Sequence, residues 1–470
     1  MDMRQPHFSM LPPPAPTALA GKRVLVLGMG DSGLSAANWI KAQGGRARVA
    51  DSRKAPPRAQ DFAGCETVTG RLDATLLDGV DLVCKSPGLA LSEPVVGEAL
   101  ARGIPVLGDI ELFAWHVRAT GKEHAPTKIL AITGTNGKTT VTALAGHLLK
   151  SAGIDCEVAG NIGPAALEAL LKRSGNPPAA WVLELSSYQL ETTWSLAPDA
   201  AAMLNLTEDH LDRYAGLADY AAAKARVFQG GGLQVVNRCD AASMAMLRDG
   251  RPQASFGLDA PALPEDYGLL AEGGREWLAR GAERILAADE LPLRGRHNVS
   301  NALAACALAQ AGGAPLAALA AGLRSFRGLP HRVERIAEVR GVEWIDDSKG
   351  TNVGATVAAL NGMARQAVLI AGGEGKGQDF RPLAAPVKAR ARAVLLIGRD
   401  AALIEAALAQ AGVPVERCGT LQAAVRRAAE LAQPGDAVLL SPACASFDMF
   451  RDYAHRAQAF VDAVKEIAGG

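Results

Sequence analysis

The sequence predicts an α/β protein of three domains: a Rossmann-like first domain, a central phosphate-loop domain with a mostly parallel sheet, and a Rossmann-like last domain. Three observations carry this. The length of 470 residues suggests roughly three domains. Apolar strand-like runs alternate with amphipathic stretches almost throughout, beginning with RVLVLG, SGLSAANWIKAQ and RARVAD, the rhythm of parallel strands joined by helices. Strand-like runs also end repeatedly in glycine-rich turns, as in GMGDSG, TGTNGKTT and GGEGKGQDF.

Boundaries follow from composition. Residues 1–20 are Pro-rich and lack an apolar core behind a basic start, so they read as a tail rather than a signal peptide. The polar segment ATGKEHAPTK (119–128) and the segment RSFRGLPHR (324–332) interrupt the rhythm, which gives units of 21–119, 120–328 and 329–470. Lys+Arg and Asp+Glu both number 49, so the net charge is zero and no basic excess points to nucleic acid. No run approaches the ~18 apolar residues of a membrane span. Seven scattered cysteines without C-x-x-C spacing read as reduced core residues. A soluble, cytoplasmic monomer is expected.

In the first unit, Gly28, Gly30 and Gly33 follow a strand, and Asp51 ends the next one. That spacing fits a dinucleotide fingerprint, with an acid placed for a ribose, but it also serves any phosphate-bearing ligand or a plain βα turn. The later turn Lys85-Ser86-Pro87-Gly88 also follows a strand. It is placed to face the same crevice.

The central unit is organised around ILAITGTNGKTTV (129–141). A β-branched strand enters a glycine turn and then an amphipathic helix. Backbone amides from Gly134, Thr135, Asn136 and Gly137 to Thr140, with the positive helix end, suit phosphate oxygens. Lys138 would reach the β/γ-phosphates and Thr139 a Mg²⁺ ion, so ATP or a close relative is the expected ligand. The strand WVLELSSYQLE (181–191) carries Glu184 inside an apolar run. A carboxylate there needs either an ion pair or a metal. Asn161 lies in a turn after a short strand. His210 stands just past another strand end, where functional loops gather. Lys224 falls on a helix and, by its spacing alone, reads as a surface lysine. Asn298 and Asn301 share one helical face, suited to caps or to a base edge.

The last unit opens with His331-Arg332. It then carries polar residues after three strands: Asp346, Asp347, Ser348, Lys349, Thr351 and Asn352; Lys376; and Ser441, Ser446, Phe447 and Tyr453. Such loops suit a carboxylate-bearing ligand.

Together, TGTNGKTT, ELSSYQLE, NLTEDHLDRY, AAKARVF, GRHNVSN, LPHRVE, DDSKGTN, GGEGKGQDF and SPACASFDMF resemble the Mur ligase family over nearly the whole chain from about residue 20. The resemblance implies an ATP-dependent amide ligase of cytoplasmic peptidoglycan precursor synthesis, working through an acyl phosphate. SPACASFDMF and the lack of a D-N-P-R segment favour D-glutamate as the amino acid added to UDP-N-acetylmuramoyl-L-alanine. It also implies a UDP site, not a NAD site, at the first turn, held by Asp31, Ser32, Asp51, Ser52, Arg53 and Gly88. By the same likeness, Thr139 and Glu184 would hold one Mg²⁺, and His210 with a carbamylated Lys224 a second. Asn161, Asn298, Asn301, Arg332 and Asp347 would contact ATP. Lys349, Thr351, Lys376, Ser446, Phe447 and Tyr453 would surround D-glutamate, and His210 is a possible base. The competing expectations are a sister ligase for another amino acid, a NAD-dependent dehydrogenase resting on the first unit, and a phosphate-loop switch or motor.

Overall fold

The computed structural model describes residues 18–120 and 127–469; most of the Pro-rich tail and part of the 119–128 boundary lie outside them. Three sheets follow one another along the chain. The first comprises β1 (Arg23–Leu27), β2 (Arg46–Asp51), β3 (Glu66–Thr69), β4 (Leu82–Lys85) and β5 (Val106–Leu107). Its order is β3-β2-β1-β4-β5 and every pairing is parallel. The order reverses between β1 and β4, so a crevice opens at their carboxyl ends.

The central sheet runs β6 (Lys128–Thr133), β7 (Cys156–Gly160), β8 (Ala180–Glu184), β9 (Ala200–Met203), β10 (Leu233–Asn237), β11 (Gln253–Phe256), β12 (Tyr267–Glu272), β13 (Arg275–Arg280) and β14 (Glu283–Ala287). In space the order is β14-β13-β12-β11-β10-β9-β6-β8-β7. It is parallel except for the β12–β13–β14 meander. β6, β8 and β9 are almost wholly buried, as expected of parallel strands covered on both faces. Register then positions the chemistry. Ile132 lies opposite Glu184, and Thr133 opposite Met203, so the loops after β6, β8 and β9 emerge side by side.

The last sheet holds β15 (Glu334–Val339), β16 (Val342–Asp346), β17 (Ala367–Gly372), β18 (Ala391–Ile397), β19 (Val415–Arg417) and β20 (Ala437–Leu440). The order is β15-β16-β20-β17-β18-β19, with only β15 antiparallel. Asp346 lies opposite Leu440, and Leu440 opposite Ile370. The three polar loops of this unit therefore share one edge.

One local expectation is corrected. The run 181–191 is not a single strand: β8 stops at Glu184 and a short helix spans Ser187–Leu190. A capping box explains the switch. The Ser186 hydroxyl accepts from the Gln189 amide, and the Gln189 side chain accepts from the Ser186 amide.

The two seams between units differ in kind. Trp39, Phe113, Leu167 and Trp181 belong to one apolar core that crosses from the first sheet to the central one, and Phe113 meets Trp181 edge-on at 5.2 Å. Buried Glu111 adds polar pins. It accepts from Trp115 Nε1 (2.9 Å), the Trp194 and Ser195 amides (2.6 and 3.0 Å) and the Ser195 hydroxyl (2.6 Å). Glu111→Ala should cost about 3 kcal/mol, because those donors lose their acceptor, read as a lowered urea midpoint. A change below about 0.5 kcal/mol, typical of neutral surface sites, would show that apolar contacts alone hold this seam. The apolar cores of the last unit contain only its own residues, and its side-chain bonds to the phosphate-loop region are polar. No helix among the described residues is long and apolar enough to cross a membrane.

Candidate active site

Each sequence-predicted loop reaches a definite place. After β6, the turn uses Gly134 and then Gly137, whose φ of +83° caps the helix Lys138–Ser151. A Cβ at Gly137 would stand 2.5 Å from Asn301 Oδ1, so glycine is required on both counts. No side chain caps this helix, which leaves its positive end to an anion. The Thr135 amide donates to Asn205 O (2.9 Å) and the Asn136 amide to Asn205 Oδ1 (2.8 Å). The loop is thus built onto the chain after β9. Thr140 is buried behind it. The Lys138 ammonium lies against Gly134 O and Thr135 O at 2.9 and 2.8 Å.

Around Lys138 the electrostatics are cationic. Lys224, Lys376 and Arg332 surround it, with Glu184 and Asp209 as the counter-charges. Burial lowers the Lys138 pKa, while those two carboxylates pull it back up. Lys224 is the main correction to the surface expectation: the helix Leu217–Ala225 turns it inward, and it is 1% exposed. Its ammonium donates to Gly134 O at 2.7 Å and lies 4.6 Å from the Tyr220 ring. Desolvation first, and Lys138 second, hold its pKa well below the usual lysine value.

Glu184 is buried. Its Oε1 accepts from Asn161 Nδ2 at 2.7 Å, whereas Oε2 is buried without a hydrogen-bond partner. An orphaned carboxylate oxygen facing phosphate-loop cations is a position a divalent ion would satisfy. His210 adopts φ +56° and contacts Tyr188 Oη through Nδ1 at 2.7 Å. Burial pushes its pKa down to about 4, so the imidazole is neutral and able to ligate a metal.

Side chains from the last unit close over this cluster. Arg332 Nη2 donates to Thr139 Oγ1 at 2.7 Å. Arg332 is held on a strap in which His331 Nδ1 lies 2.7 Å from Asp346 Oδ2. Asn352 Nδ2 donates to Asn136 Oδ1 (3.0 Å) and Asp209 Oδ2 (3.2 Å), and Lys376 Nζ lies 3.5 Å from Asp209 Oδ1. A cavity of about 450 Å³ between the units is lined by Asn136, Gly137, Asn298, Asn301, Arg332 and Asp347. Asn301 donates to Asn298 Oδ1 (3.1 Å), and Asn298 to Arg294 O (2.8 Å). Neither caps the helix, whose cap is Gly295. Asp347 is buried, with its pKa raised to about 7 mainly by desolvation, and accepts from Ser441 Oγ at 2.7 Å.

Lys349 stands 5.1 Å over the Tyr453 ring, and burial lowers its pKa to about 8. Thr351 follows half-buried, Ser446 is buried, and Lys376 sits in the left-handed region at φ +54°. Phe447, next to Ser446, is 70% exposed.

At the crevice of the first sheet, a cavity of about 530 Å³ is lined by Asp31, Ser32, Asp51, Ser52, Arg53 and Gly88, and reaches Asn161 and Gln189 of the central unit. Gly33 is required because a Cβ there would meet Gly28 O at 1.9 Å. Asp51 Oδ2 accepts from the Met29 amide at 2.8 Å, and both its oxygens accept from Arg53. The Arg53 bond leads in lowering its pKa to about 2. Asp31 instead pairs with Arg58 at the surface. Of the cysteines, Cys84, Cys156, Cys306 and Cys444 are buried as expected, while Cys239 is exposed; all seven are free.

Asp209, Tyr188 and the bridging Asn352 join the cluster without having been expected there. Their signals were an acid beside His210 and a tyrosine one turn after Glu184.

Three family models cover most of the chain: "Mur ligase MurD-like, N-terminal domain" at 22–108, "Mur ligase middle domain" at 132–309 and "Mur ligase, glutamate ligase domain" at 331–444. The chain belongs to the Mur ligase family. Among relatives of this Mur ligase, UDP-N-acetylmuramoylalanine--D-glutamate ligase of Nitrosospira multiformis is 55% identical over 464 residues, 96% of this chain and 98% of that one. The protein of the same name from Aromatoleum aromaticum is 55% identical over 460 residues, with the same shares. Among solved structures, UDP-N-acetylmuramate-alanine ligase of Thermotoga maritima matches with a TM-score of 0.61 at 20% identity, over 95% of this chain and 99% of that one. MurF of Acinetobacter baumannii matches at 0.60 and 17%, over 95% and 91%. These two likenesses concern the fold.

Proposed function

We propose that this Mur ligase joins D-glutamate to UDP-N-acetylmuramoyl-L-alanine with cleavage of ATP to ADP and phosphate, in cytoplasmic peptidoglycan precursor synthesis. The observation that carries it is end-to-end 55% identity to ligases of that name. The arrangement supports it: the phosphate loop lies between a crevice for the UDP-sugar and the Lys, Ser and Thr loops of the last sheet. A carboxylate is a poor electrophile, so its oxygen attacks the γ-phosphate and forms an acyl phosphate. The D-glutamate amine then attacks the acyl carbon, and the tetrahedral intermediate expels phosphate.

In this reading Lys138, Arg332 and the loop amides stabilise charge developing on the transferred phosphoryl group. Asn161, Asn298, Asn301 and Asp347 hold the nucleotide. Asp51 and Arg53 shape the uridine-side turn, beside Asp31, Ser32, Ser52 and Gly88. Lys349, Lys376, Thr351, Ser446 and Tyr453 receive the amino acid, with exposed Phe447 at its rim.

Two Mg²⁺ ions are part of the proposal, and the residues present fit them. Thr139 and Glu184, with its orphaned Oε2, would hold one; neutral His210 and Lys224, once carbamylated, would hold the other. Bound there, the ions supply charge neutralisation between phosphate oxygens. Carbamylation needs a free amine, and the lowered pKa of buried Lys224 provides it. As a metal ligand His210 has no free lone pair left and would be a poor proton acceptor for the amine. In this reading the last unit, whose apolar cores are its own, moves against the first two, which share one apolar core.

The test is phosphate release with ATP, UDP-N-acetylmuramoyl-L-alanine and a panel of amino acids. D-glutamate should be required. Equal turnover with L-glutamate or L-alanine would overturn the assignment and point to a sister ligase.

A further inference from the structure

Tyr188 lies inside the capping box, between Ser186 and Gln189, that turns the chain after β8. Its hydroxyl oxygen lies 2.7 Å from His210 Nδ1, and its ring centroid 4.8 Å from the imidazole. His210 is a residue whose orientation has to be enforced. It stands at φ +56°, uncommon for a residue other than glycine although histidine is among those that adopt it. Its other holds are weaker: its backbone amide donates to Asp209 Oδ1 at 2.9 Å, but Nε2 is 3.7 Å from Asp209 Oδ2.

Tyr188 itself is firmly held. Arg213 lies over its ring at 4.2 Å and Tyr214 stacks on it at 6.2 Å. Arg213 is in turn tied to Glu191 at 2.7 Å by a largely buried ion pair, and it donates to Gly88 O at 3.4 Å on the turn lining the crevice of the first sheet. The phenol is thus anchored from the nucleotide-sugar side and presents its oxygen to the imidazole.

A neutral imidazole carries one proton, and the partner of one nitrogen decides which lone pair the other offers. With Nδ1–H donating to Tyr188 Oη, the lone pair is on Nε2. A phenol is ordinarily neutral, so it orients the ring without adding a charge.

We infer that Tyr188 is a positioning residue: its hydroxyl fixes the Nδ1–H tautomer and the ring plane of His210, so that Nε2 is presented to a divalent cation. This rests on the reading of His210 as a metal ligand, and the experiment separates the two.

Mn²⁺ binding is measured by electron paramagnetic resonance on the full chain, with UDP-N-acetylmuramoyl-L-alanine and a non-hydrolysable ATP analogue, for wild type, His210→Ala and Tyr188→Phe. Tyr188→Phe removes one oxygen and keeps the ring against Arg213 and Tyr214. It should weaken Mn²⁺ binding about tenfold, the size expected for an outer partner of a metal-bound histidine, with affinity for the UDP substrate unchanged. The Mn²⁺ concentration for half-maximal turnover should rise in parallel. If His210→Ala weakens Mn²⁺ binding and Tyr188→Phe does not, the positioning role is overturned. If His210→Ala leaves Mn²⁺ binding intact, His210 is no ligand, and both the reading and the inference fail. Should Tyr188→Phe lose UDP-substrate affinity together with Mn²⁺, the hydroxyl serves general packing and the inference is again rejected.

Discussion

Lys224→Ala is expected to lower turnover at least about 10²-fold, because the proposed carbamate of this lysine would no longer supply an oxygen ligand to a cation at the phosphate loop. The residue is 1% exposed, its ammonium contacts the phosphate loop at Gly134 O, and desolvation favours the free amine that reacts with CO₂. Small carboxylic acids such as formate should restore part of the activity, since they place an oxygen in the space left by the side chain. Rigorous removal of bicarbonate should depress the wild type and leave the formate-rescued variant unaffected. A lysine acting only as a cation predicts no rescue by anions. Full activity of Lys224→Ala would reject carbamylation and metal ligation at this position, while leaving the phosphate loop in place.

Replacing Lys138 by alanine should lower turnover about 10³-fold, the scale of removing a cationic group that stabilises a transferring phosphoryl group. Its ammonium sits where the loop carbonyls of Gly134 and Thr135 meet the cationic cluster. Nothing else in the loop supplies a full charge. Binding of the UDP substrate should persist, because the first-sheet cavity is lined by residues around Gly28, Asp51 and Gly88 and not by Lys138. Isothermal titration of the UDP substrate beside a phosphate-release assay reads both halves. Undiminished ATP-dependent phosphate release would show that residues 134–140 are not the phosphate cradle.

Parallel α/β architecture was legible in the sequence because it is written in short-range patterns. Apolar runs such as RVLVL and AVLIAG become fully covered strands, and glycine turns at their ends need only local backbone freedom. The phosphate loop was legible for the same reason: strand, glycine turn, Gly-Lys-Thr and helix follow one another without interruption over residues 128–151, and the chemistry is contained in that order. The family, too, could be read from motifs in order along the chain.

What the sequence by itself determined, then, was the fold class, the phosphate loop and the ligase family. The tertiary structure decided which polar side chains meet. Lys224 reads as a surface lysine from its neighbours, yet it is buried because its helix packs its inner face onto a loop 90 residues earlier. Arg332 reaches Thr139 across 193 residues, and Asn352 reaches Asn136 across 216. The end of β8 at Glu184 depended on a capping box competing with an apolar run. Desolvation and charge pairing act through space, and no local pattern encodes the partner, so the shifted pKa values of Lys224, His210 and Asp347 emerge only once three sheets have brought their loop edges together.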